Sequence, residues 1–187
     1  RELGSIQWPC NDEHPTGTPI MHVNEFVRGK GKFWITEYIP TDEKVNQRFP
    51  LILTTGRILS HYNVGAQTRR TKNSEWHQED LLEIHPTDAE ARGINDGDPV
   101  NIKSRAGHTS LTCRVTERVQ PGVVYTTFHH PWSGANVITT DNSDWATNCP
   151  EFKVTAVEIS LAVENSEWQK QYEKFSDTQK TLAEVRD

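Results

Sequence analysis

The chain has 187 residues, of which 34% are hydrophobic and 25% charged, so its composition is that of a globular protein with room for one domain plus extensions. Its net charge of −6 disfavours nucleic acid as the main partner, and an anionic ligand would need a local cationic patch. No apolar run approaches the roughly 18 residues of a membrane helix, and no secretory signal is visible.

The three cysteines, Cys10, Cys113 and Cys149, form no CxxC pair. This pattern favours a reducing compartment, here the cytoplasm, and it excludes an iron–sulfur or structural zinc site made of cysteines alone. Each cysteine is predicted to be a small buried apolar residue. Because the chain begins at Arg1 and not at a methionine, we interpret it as a piece of a longer protein.

Residues 1–49 are predicted to be an extended lead-in rather than part of the main domain. Gly29–Lys32 predicts a hairpin turn, because its spacing does not match a phosphate-binding P-loop and no helical pattern follows. Phe33–Ile39 predicts a strand, and the polar stretch Thr41–Gln47 predicts a surface linker.

A short apolar run, Leu51–Leu53, predicts a buried strand that leads directly into the stretch Thr54–Arg70. Gly56 allows a sharp turn or the close approach of another group, and Arg57 follows it with five fixed donors. Hydroxyl side chains flank the turn, and the densest cationic patch of the sequence lies here, at Arg57, Arg69, Arg70 and Lys72. Such a strand end suits a phosphate or pyrophosphate, although a plain turn with a solvated arginine fits the chemistry of Thr-Gly-Arg as well.

The rest of the main domain is predicted to be mainly β, with short helices between short strands. Asn73–Asp80 is predicted to be a solvated loop, and not a metal site at His77, since its carboxylates lack helical ligand spacing. A short helix is predicted over His85–Gly93, with proline in its first turn and glycine at its end. Strands are predicted at Leu81–Ile84, Val100–Ser104, Thr109–Val115, Val123–Phe128 and Cys149–Val157. About six short strands between residues 50 and 160 indicate a closed or nearly closed barrel.

Two further positions offer polar groups for a ligand. Adjacent strand residues point to opposite faces, so His129 and His130 are not expected to share one metal, although one of them could face a cleft. Asn136 has an amide that both donates and accepts, and Lys153 has a point charge for phosphate. A turn asparagine and a solvated strand lysine are the alternatives.

Residues 161–187 predict a C-terminal helical extension. Ser166 and Gln169 form a capping-box pattern, after which Trp168, Tyr172 and Phe175 fall on one helical face. We expect a break near Asp177, beyond which Leu182 and Val185 extend that face. The helix either folds back on its own subunit, which we favour, or docks a partner subunit.

Taken together, the motifs from about Ile6 to about Ser160 resemble the molybdopterin-dinucleotide-binding segment of the molybdenum and tungsten oxidoreductases. The resemblance rests on ordered motifs: Ile6–Cys10, Thr55–Arg57, His61–Tyr62, Thr68–Arg70, His85–Ala89, Gly97–Asp98, Val119–Gly122, Phe128–His129, Ala135–Asn136 and Pro150–Val157. It implies a double-psi β-barrel over residues 50–160. The stretch Ser143–Pro150 looks closest to the alpha subunit of soluble NAD-dependent formate dehydrogenases.

By position, the resemblance implies a set of residues along the cofactor, a bis(molybdopterin guanine dinucleotide). These are Thr55, Gly56, Arg57, Ile58, His61, Tyr62, Asn63, Arg69, Phe128, His129, Asn136 and Lys153, with Val64 beside them. Arg57 and His61 are the firmer assignments, because many relatives have His-Thr where this chain has Asn63-Val64. The resemblance implies no catalytic residue and no metal ligand within this chain.

The resemblance further implies that the intact enzyme oxidises formate to carbon dioxide at molybdenum or tungsten and passes electrons through iron–sulfur clusters to NAD. The metal ligand, the clusters and half of the cofactor site would lie in the rest of the catalytic subunit, and iron–sulfur or flavin subunits would reduce NAD. The isolated chain is therefore expected to be inactive. A nitrate reductase of the same family and a non-catalytic barrel that binds a substrate or adaptor are the alternatives.

Overall fold

The computed structural model describes residue 10, residues 12–17, 20–22, 24 and 26, and residues 29–184, with side chains to residue 180. Contacts divide the chain into two units, Arg1–Pro40 and Thr41–Asp187. Within the described residues, no helix is both long enough and apolar enough to cross a membrane. Val185 and the motif at Ile6–Pro9 lie outside the described residues, and the side chain of Leu182 is not described, so the predicted extension of the apolar face is not tested.

Six strands close into a barrel, which confirms the predicted mainly β fold with short helices. In chain order they are β1 (Leu51–Gly56), β2 (Leu81–Ile84), β3 (Pro99–Lys103), β4 (His108–Val115), β5 (Val123–Thr127) and β6 (Thr155–Leu161). The order around the barrel is β1-β5-β2-β4-β3-β6. The pairs β1–β5 and β2–β4 are parallel, and the other four pairs are antiparallel. The double-psi topology that the resemblance implies stays a prediction.

The barrel interior is filled by aliphatic side chains that alternate along the strands. In β1, Leu51 and Leu53 are buried, while Ile52 between them is only half-buried. Val100 and Ile102 alternate in the same way along β3. This period of two is the signal that identified β3 in the sequence, because successive side chains of a strand point to opposite faces, whereas β1 was identified from its short apolar run.

The parallel pairing of β1 with β5 determines where the loops after these strands meet. Gly56, the last residue of β1, is in register with Thr127, the last residue of β5. Because the two strands run in the same direction, the loop that begins at Arg57 and the loop that begins at Phe128 leave the barrel side by side. Two helices follow at the rims: α1 (Pro86–Glu90), inside the predicted His85–Gly93, and α2 (Ala135–Ile138), in the loop after β5.

The segment Thr41–Gln47 before β1 lies mostly at the surface, as predicted for a linker, but one of its carboxylates is buried. Glu43 is buried, and its carboxylate accepts hydrogen bonds at 2.9 Å from both the Arg105 guanidinium and the backbone N–H of Ala156 in β6. The paired carboxylate ties this segment to the barrel. The burial of Glu43 could not be predicted, because a polar composition does not distinguish a solvated carboxylate from one that pairs with a cation and a backbone donor.

A C-terminal helix, α3 (Glu167–Glu184), is attached to the barrel by one side-chain amide. Gln169, only 1% exposed, accepts from the backbone N–H of Ser110 in β4 at 3.2 Å and donates to its carbonyl at 2.6 Å. Ser110 lies before the part of β4 that pairs with β2, which begins at Thr112. The amide of Gln169 thus takes the place of a strand partner at this point of β4.

The predicted capping box is confirmed, as is the docking of the helix on its own chain. The backbone N–H of Ser166 donates to Gln169 Oε1 at 3.1 Å, and the backbone N–H of Gln169 donates to Ser166 Oγ at 3.3 Å. The indole of Trp168 lies where a side chain on Gly134 would be, and Tyr172 contacts Trp132 edge-on at 6.4 Å. Phe175 is 60% exposed, so the aromatic face is only partly covered.

Other local predictions were wrong. The hairpin at Gly29–Lys32 and the strand at Phe33–Ile39 are absent, since none of residues 29–40 is in a strand and none of the described strands pairs with them. The last strand begins at Thr155 and not at Cys149, because Asp144 accepts backbone N–H groups from Ala146, Thr147 and Cys149 and holds them in a loop.

The expected helix break near Asp177 is also absent, and the helix continues to Glu184 with a Lys180–Asp177 contact of 3.3 Å across it. The prediction of buried cysteines is confirmed for Cys113 only, since Cys10 and Cys149 are exposed. Cys149 is exposed because it lies in the Asp144 loop instead of in β6.

We predict that Gln169→Ala lowers the free energy of unfolding by about 2–3 kcal/mol, because it leaves the buried N–H and C=O of Ser110 without partners. Gln171→Ala, an exposed position on the same helix, should change it by less than about 0.5 kcal/mol. Chemical denaturation of both variants measures the difference. Equal stabilities would contradict the anchoring role of Gln169.

Candidate cofactor-binding site

A cleft of about 250 Å³ opens between the loop after β1 and the loop after β5. Five residues singled out in the sequence line it: Thr55, Arg57, Asn63, Phe128 and Asn136. Val64, Ala135, Thr139 and Phe152 complete the lining. Thr55 and Arg57 therefore share one cleft with Phe128 and Asn136, which lie 71 to 81 positions away in the sequence, because β1 and β5 end at the same rim.

The Arg57 guanidinium is exposed at the cleft and rests on Phe128. Its central carbon lies 5.2 Å from the centre of the Phe128 ring, within cation–π range. Arg57 Nη2 donates a long hydrogen bond of 3.4 Å to Asn63 Oδ1. In the part of the chain that the structure describes, no carboxylate lies within ion-pair distance of Arg57. Its charge is thus available to an anionic ligand.

Gly56 is needed for the close approach of a neighbouring side chain. A Cβ at this position would overlap the phenol ring of Tyr125, and the Tyr125 hydroxyl donates to the Arg57 carbonyl at 3.3 Å. The group predicted to approach Gly56 is therefore a residue of β5 in this structure. The absence of a side chain at Gly56 allows the backbone of Arg57 to be held against β5.

The end of β1 is also tied to the segment before β6. The Thr55 hydroxyl donates to the carbonyl of Phe152 at 2.8 Å, and the ammonium group of Lys153 donates to the carbonyl of Thr55. Lys153 remains exposed beside the cleft. Both predicted residues thus lie at the rim, where Lys153 adds a second positive charge to that of Arg57.

His61 is buried, and both of its ring nitrogens are used within the protein. Nε2 donates to the carbonyl of His77 at 2.9 Å, and Nδ1 accepts from the Thr68 hydroxyl at 3.0 Å. The same Thr68 oxygen accepts the backbone N–H of Tyr62 at 3.3 Å. Direct contact of His61 with a cofactor stays a prediction, and in this structure the ring fixes the loop that follows Arg57.

His129 is completely buried, and it links two points of the loop after β1. Its Nε2 accepts the backbone N–H of Ile58 at 3.1 Å, while its Nδ1 donates to the carbonyl of Asn63. Burial lowers the pKa of His129 from its usual value. The neutral ring that results is the form that donates from one nitrogen and accepts at the other.

Sequence reasoning missed Asp80, which was predicted to lie in a solvated loop. It is 3% exposed, and it accepts from the Thr127 hydroxyl and from the backbone N–H groups of His129 at 3.1 Å and His130 at 2.9 Å. Burial raises the pKa of Asp80, but the His130 side chain and the Thr127 hydroxyl outweigh burial and bring the pKa to about 2. His130 Nδ1 is 3.2 Å from the carboxylate, although it is not aligned as a hydrogen bond.

The sequence around Asp80 gives little indication of this role. Glu75, Glu79 and Asp80 read as an ordinary acidic stretch, and the donors that select Asp80 lie 47 to 50 positions away. A polar residue immediately before the buried strand β2 is the one local hint, because it lies where a loop enters the barrel.

Arg69 and Tyr62 are not in the cleft lining. Arg69 lines a separate and larger cavity of about 560 Å³, together with Asp80, His130, Trp132 and Tyr172. Tyr62 is exposed. Within the described residues, no group of three or more His, Cys, Asp or Glu side chains is placed to hold a metal ion.

Residues 51–156 match the family model described as "Molydopterin dinucleotide binding domain". Over 161 residues, the chain is 41% identical to the F420-dependent formate dehydrogenase subunit alpha of Methanocaldococcus jannaschii, covering 84% of this chain and 24% of that protein. It is 33% identical over 168 residues to the assimilatory nitrate reductase catalytic subunit of Bacillus subtilis, covering 85% and 23%. The chain spans about a quarter of the length of these relatives.

A solved structure, the acetylene hydratase from Pelobacter acetylenicus, has a similar fold. The TM-score is 0.53 at 15% sequence identity, covering 61% of this chain and 18% of that one. At this identity the similarity concerns the fold alone. It supports the barrel assignment independently of the sequence motifs.

We predict that Asp80→Asn lowers the free energy of unfolding at pH 7 by about 2–3 kcal/mol. This is the free energy that corresponds to the lowering of the Asp80 pKa from 3.8 to about 2. Because the pKa of Asp80 is lower in the folded state, its contribution is complete above pH 4–5 and is lost as the pH falls towards 2. Denaturation at pH 7, 5 and 3 should show the wild type and the variant converging at low pH. Glu117→Gln, at an exposed turn carboxylate, serves as the control, and a difference that does not change with pH would contradict the prediction.

Proposed function

Because the chain belongs to the molydopterin dinucleotide binding domain family, we propose that it forms part of the cofactor site in the catalytic subunit of a formate dehydrogenase. The whole enzyme would oxidise formate to carbon dioxide with a bis(molybdopterin guanine dinucleotide) cofactor. This chain would bind and orient part of that cofactor. The observation that carries the proposal is the cleft between the two loops, with Arg57 exposed on Phe128 at its edge.

The residues present fit the chemical groups of such a cofactor. A guanidinium without a carboxylate partner suits a pyrophosphate, and the amides of Asn63 and Asn136 offer both donors and acceptors to the edge of a pterin or guanine ring. Phe128 is an aromatic surface at the cleft. At about 250 Å³, the cleft suits one ring system and not a whole dinucleotide, so the rest of the cofactor would lie against other parts of the subunit.

When bound, the metal–pterin group supplies the two-electron redox chemistry. The residues of this chain would hold it in place. Arg57 and Lys153 would supply positive charge, Asn63 and Asn136 would fix the ring edge, and the buried rings of His61 and His129 would keep the loop after β1 in shape. The metal ligand and the residues that contact formate would lie in the rest of the subunit.

The substrate is proposed from the relatives, and so is the electron acceptor. The relatives named formate dehydrogenase are 35–41% identical to this chain, and the named nitrate reductase is 33% identical. Nitrate reduction is therefore the second candidate activity. The sequence resemblance implied NAD as acceptor, through iron–sulfur or flavin subunits, whereas these relatives are named as F420-dependent. We propose a cytoplasmic enzyme with separate electron-transfer subunits. Those subunits would determine whether NAD or F420 is the electron acceptor.

We predict that Arg57→Ala in the full-length protein that carries this chain weakens cofactor retention roughly ten- to a hundredfold. The basis is the loss of a charge-assisted contact worth about 1.5–3 kcal/mol. Bound molybdenum and tungsten, released guanine nucleotide, and formate-dependent reduction of NAD and of F420 are measured in parallel. The 187-residue chain alone should show no formate oxidation.

Arg114→Ala is the matched control, because Arg114 is exposed on β4 and is not among the residues that line the cleft. It should retain cofactor like the wild type. A wild type that holds the cofactor but reduces nitrate instead of oxidising formate would favour the second candidate. A wild type that holds neither metal nor pterin would overturn the proposal and leave a non-catalytic binding module.

A further inference from the structure

We propose that Asp80 and His129 form a buried clamp that holds the loop Ile58–Asn63 in its shape and thereby positions Arg57 at the cleft. Both residues act through other groups, so they are positioning residues and not contacts of the ligand. The inference rests on the proposed function only where it links the loop to the cofactor.

The first half of the clamp is the contact of His129 with both ends of the loop. One ring nitrogen accepts the N–H of Ile58, immediately after Arg57, and the other donates to the carbonyl of Asn63. The ring thus joins two residues that are five positions apart. Because His129 is completely buried, neither bond competes with water.

The loop turns at the residue that His129 holds. Asn63 has a φ of 48°, in the left-handed region, which asparagine adopts more often than other non-glycine residues. Asn63 is also the residue whose side-chain oxygen accepts from the Arg57 guanidinium at 3.4 Å. The backbone of Asn63, held by His129, therefore determines where this partner of Arg57 lies.

The second half of the clamp is the contact of Asp80 with the backbone on either side of the His129 ring. Its two carboxylate oxygens accept the N–H groups of His129 and His130, and the hydroxyl of Thr127 at the end of β5. These bonds fix the chain as it leaves β5. The carbonyl of His129 also lies close to Gly65, where a Cβ would be 2.7 Å from it.

Hydrogen exchange measured by NMR on the 187-residue chain tests the clamp without any cofactor. In His129→Phe, the amide of Ile58 should exchange at least tenfold faster, while the paired amides of β3 and β4 keep their protection. His129→Gln restores an acceptor at the position of Nε2 and should return the Ile58 amide to near the wild-type rate. Asp80→Asn should also accelerate exchange at Ile58, because it removes one of the two carboxylate oxygens that accept the backbone N–H groups of His129 and His130.

Unchanged exchange at Ile58 in His129→Phe overturns the clamp. Equal acceleration in β3 and β4 overturns it as well, because His129 would then support the fold in general and not the loop. If exchange at Ile58 is unchanged in Asp80→Asn, Asp80 is not part of the clamp.

Metal content of the full-length protein tests the link to the cofactor. The His129→Phe protein should contain at least tenfold less metal than the wild type, and the His129→Gln protein should keep most of its metal. If His129→Phe accelerates exchange of the Ile58 amide but the protein keeps its metal, the link between the clamp and the cofactor is overturned. If the clamp behaves as expected on the chain but Arg57→Ala keeps its metal, the clamp stands and the proposed function fails.

Discussion

The parallel pairing of β1 with β5 is the constraint on which the site depends. Two antiparallel neighbours would have placed the ends of these strands at opposite rims of the barrel. With Gly56 opposite Thr127, the two loops start together, and the contacts between the two strand ends and their loops follow from that register. Tyr125 against Gly56, Phe128 under Arg57 and His129 between Ile58 and Asn63 are all consequences of one pairing.

At this end of the barrel, buried polar groups hold the chain in place through hydrogen bonds, whereas aliphatic packing does so in the rest of the core. The core of the barrel is aliphatic, but the rim below the cleft contains Asp80, His61 and His129, each buried and each satisfied by specific partners. Buried polar groups are costly unless they are paired, and a fully paired set specifies one arrangement of the chain. This part of the molecule therefore gains a defined loop shape from the same hydrogen bonds that compensate for its burial.

Much of the architecture could be predicted from the sequence, because strands and capped helices leave local signals. The alternation at Val100 and Ile102 and the capping box at Ser166 and Gln169 are visible within a few residues. The partners of Asp80 and Glu43 cannot be found in this way, because they lie 47 to 113 positions away in the sequence. A polar stretch also has the same composition whether its carboxylates are solvated or buried. The start of β6 was misplaced for a similar reason: the bonds accepted by Asp144 compete with strand pairing, and hydrophobic pattern does not register them.

The indole of Trp168 fills the space that a side chain on Gly134 would need. This contact joins α3 to the wall of the cleft. Gly134 has a φ of 58° and immediately precedes α2, whose Asn136 lines the cleft. A side chain at position 134 would overlap the indole and would be strained at this φ, so a larger residue there requires both a smaller residue at position 168 and a change in the backbone. In related sequences that keep both the helix and the cleft, these two positions should vary together, and the helix outside the barrel thus restricts which residues evolution can place beside the cleft.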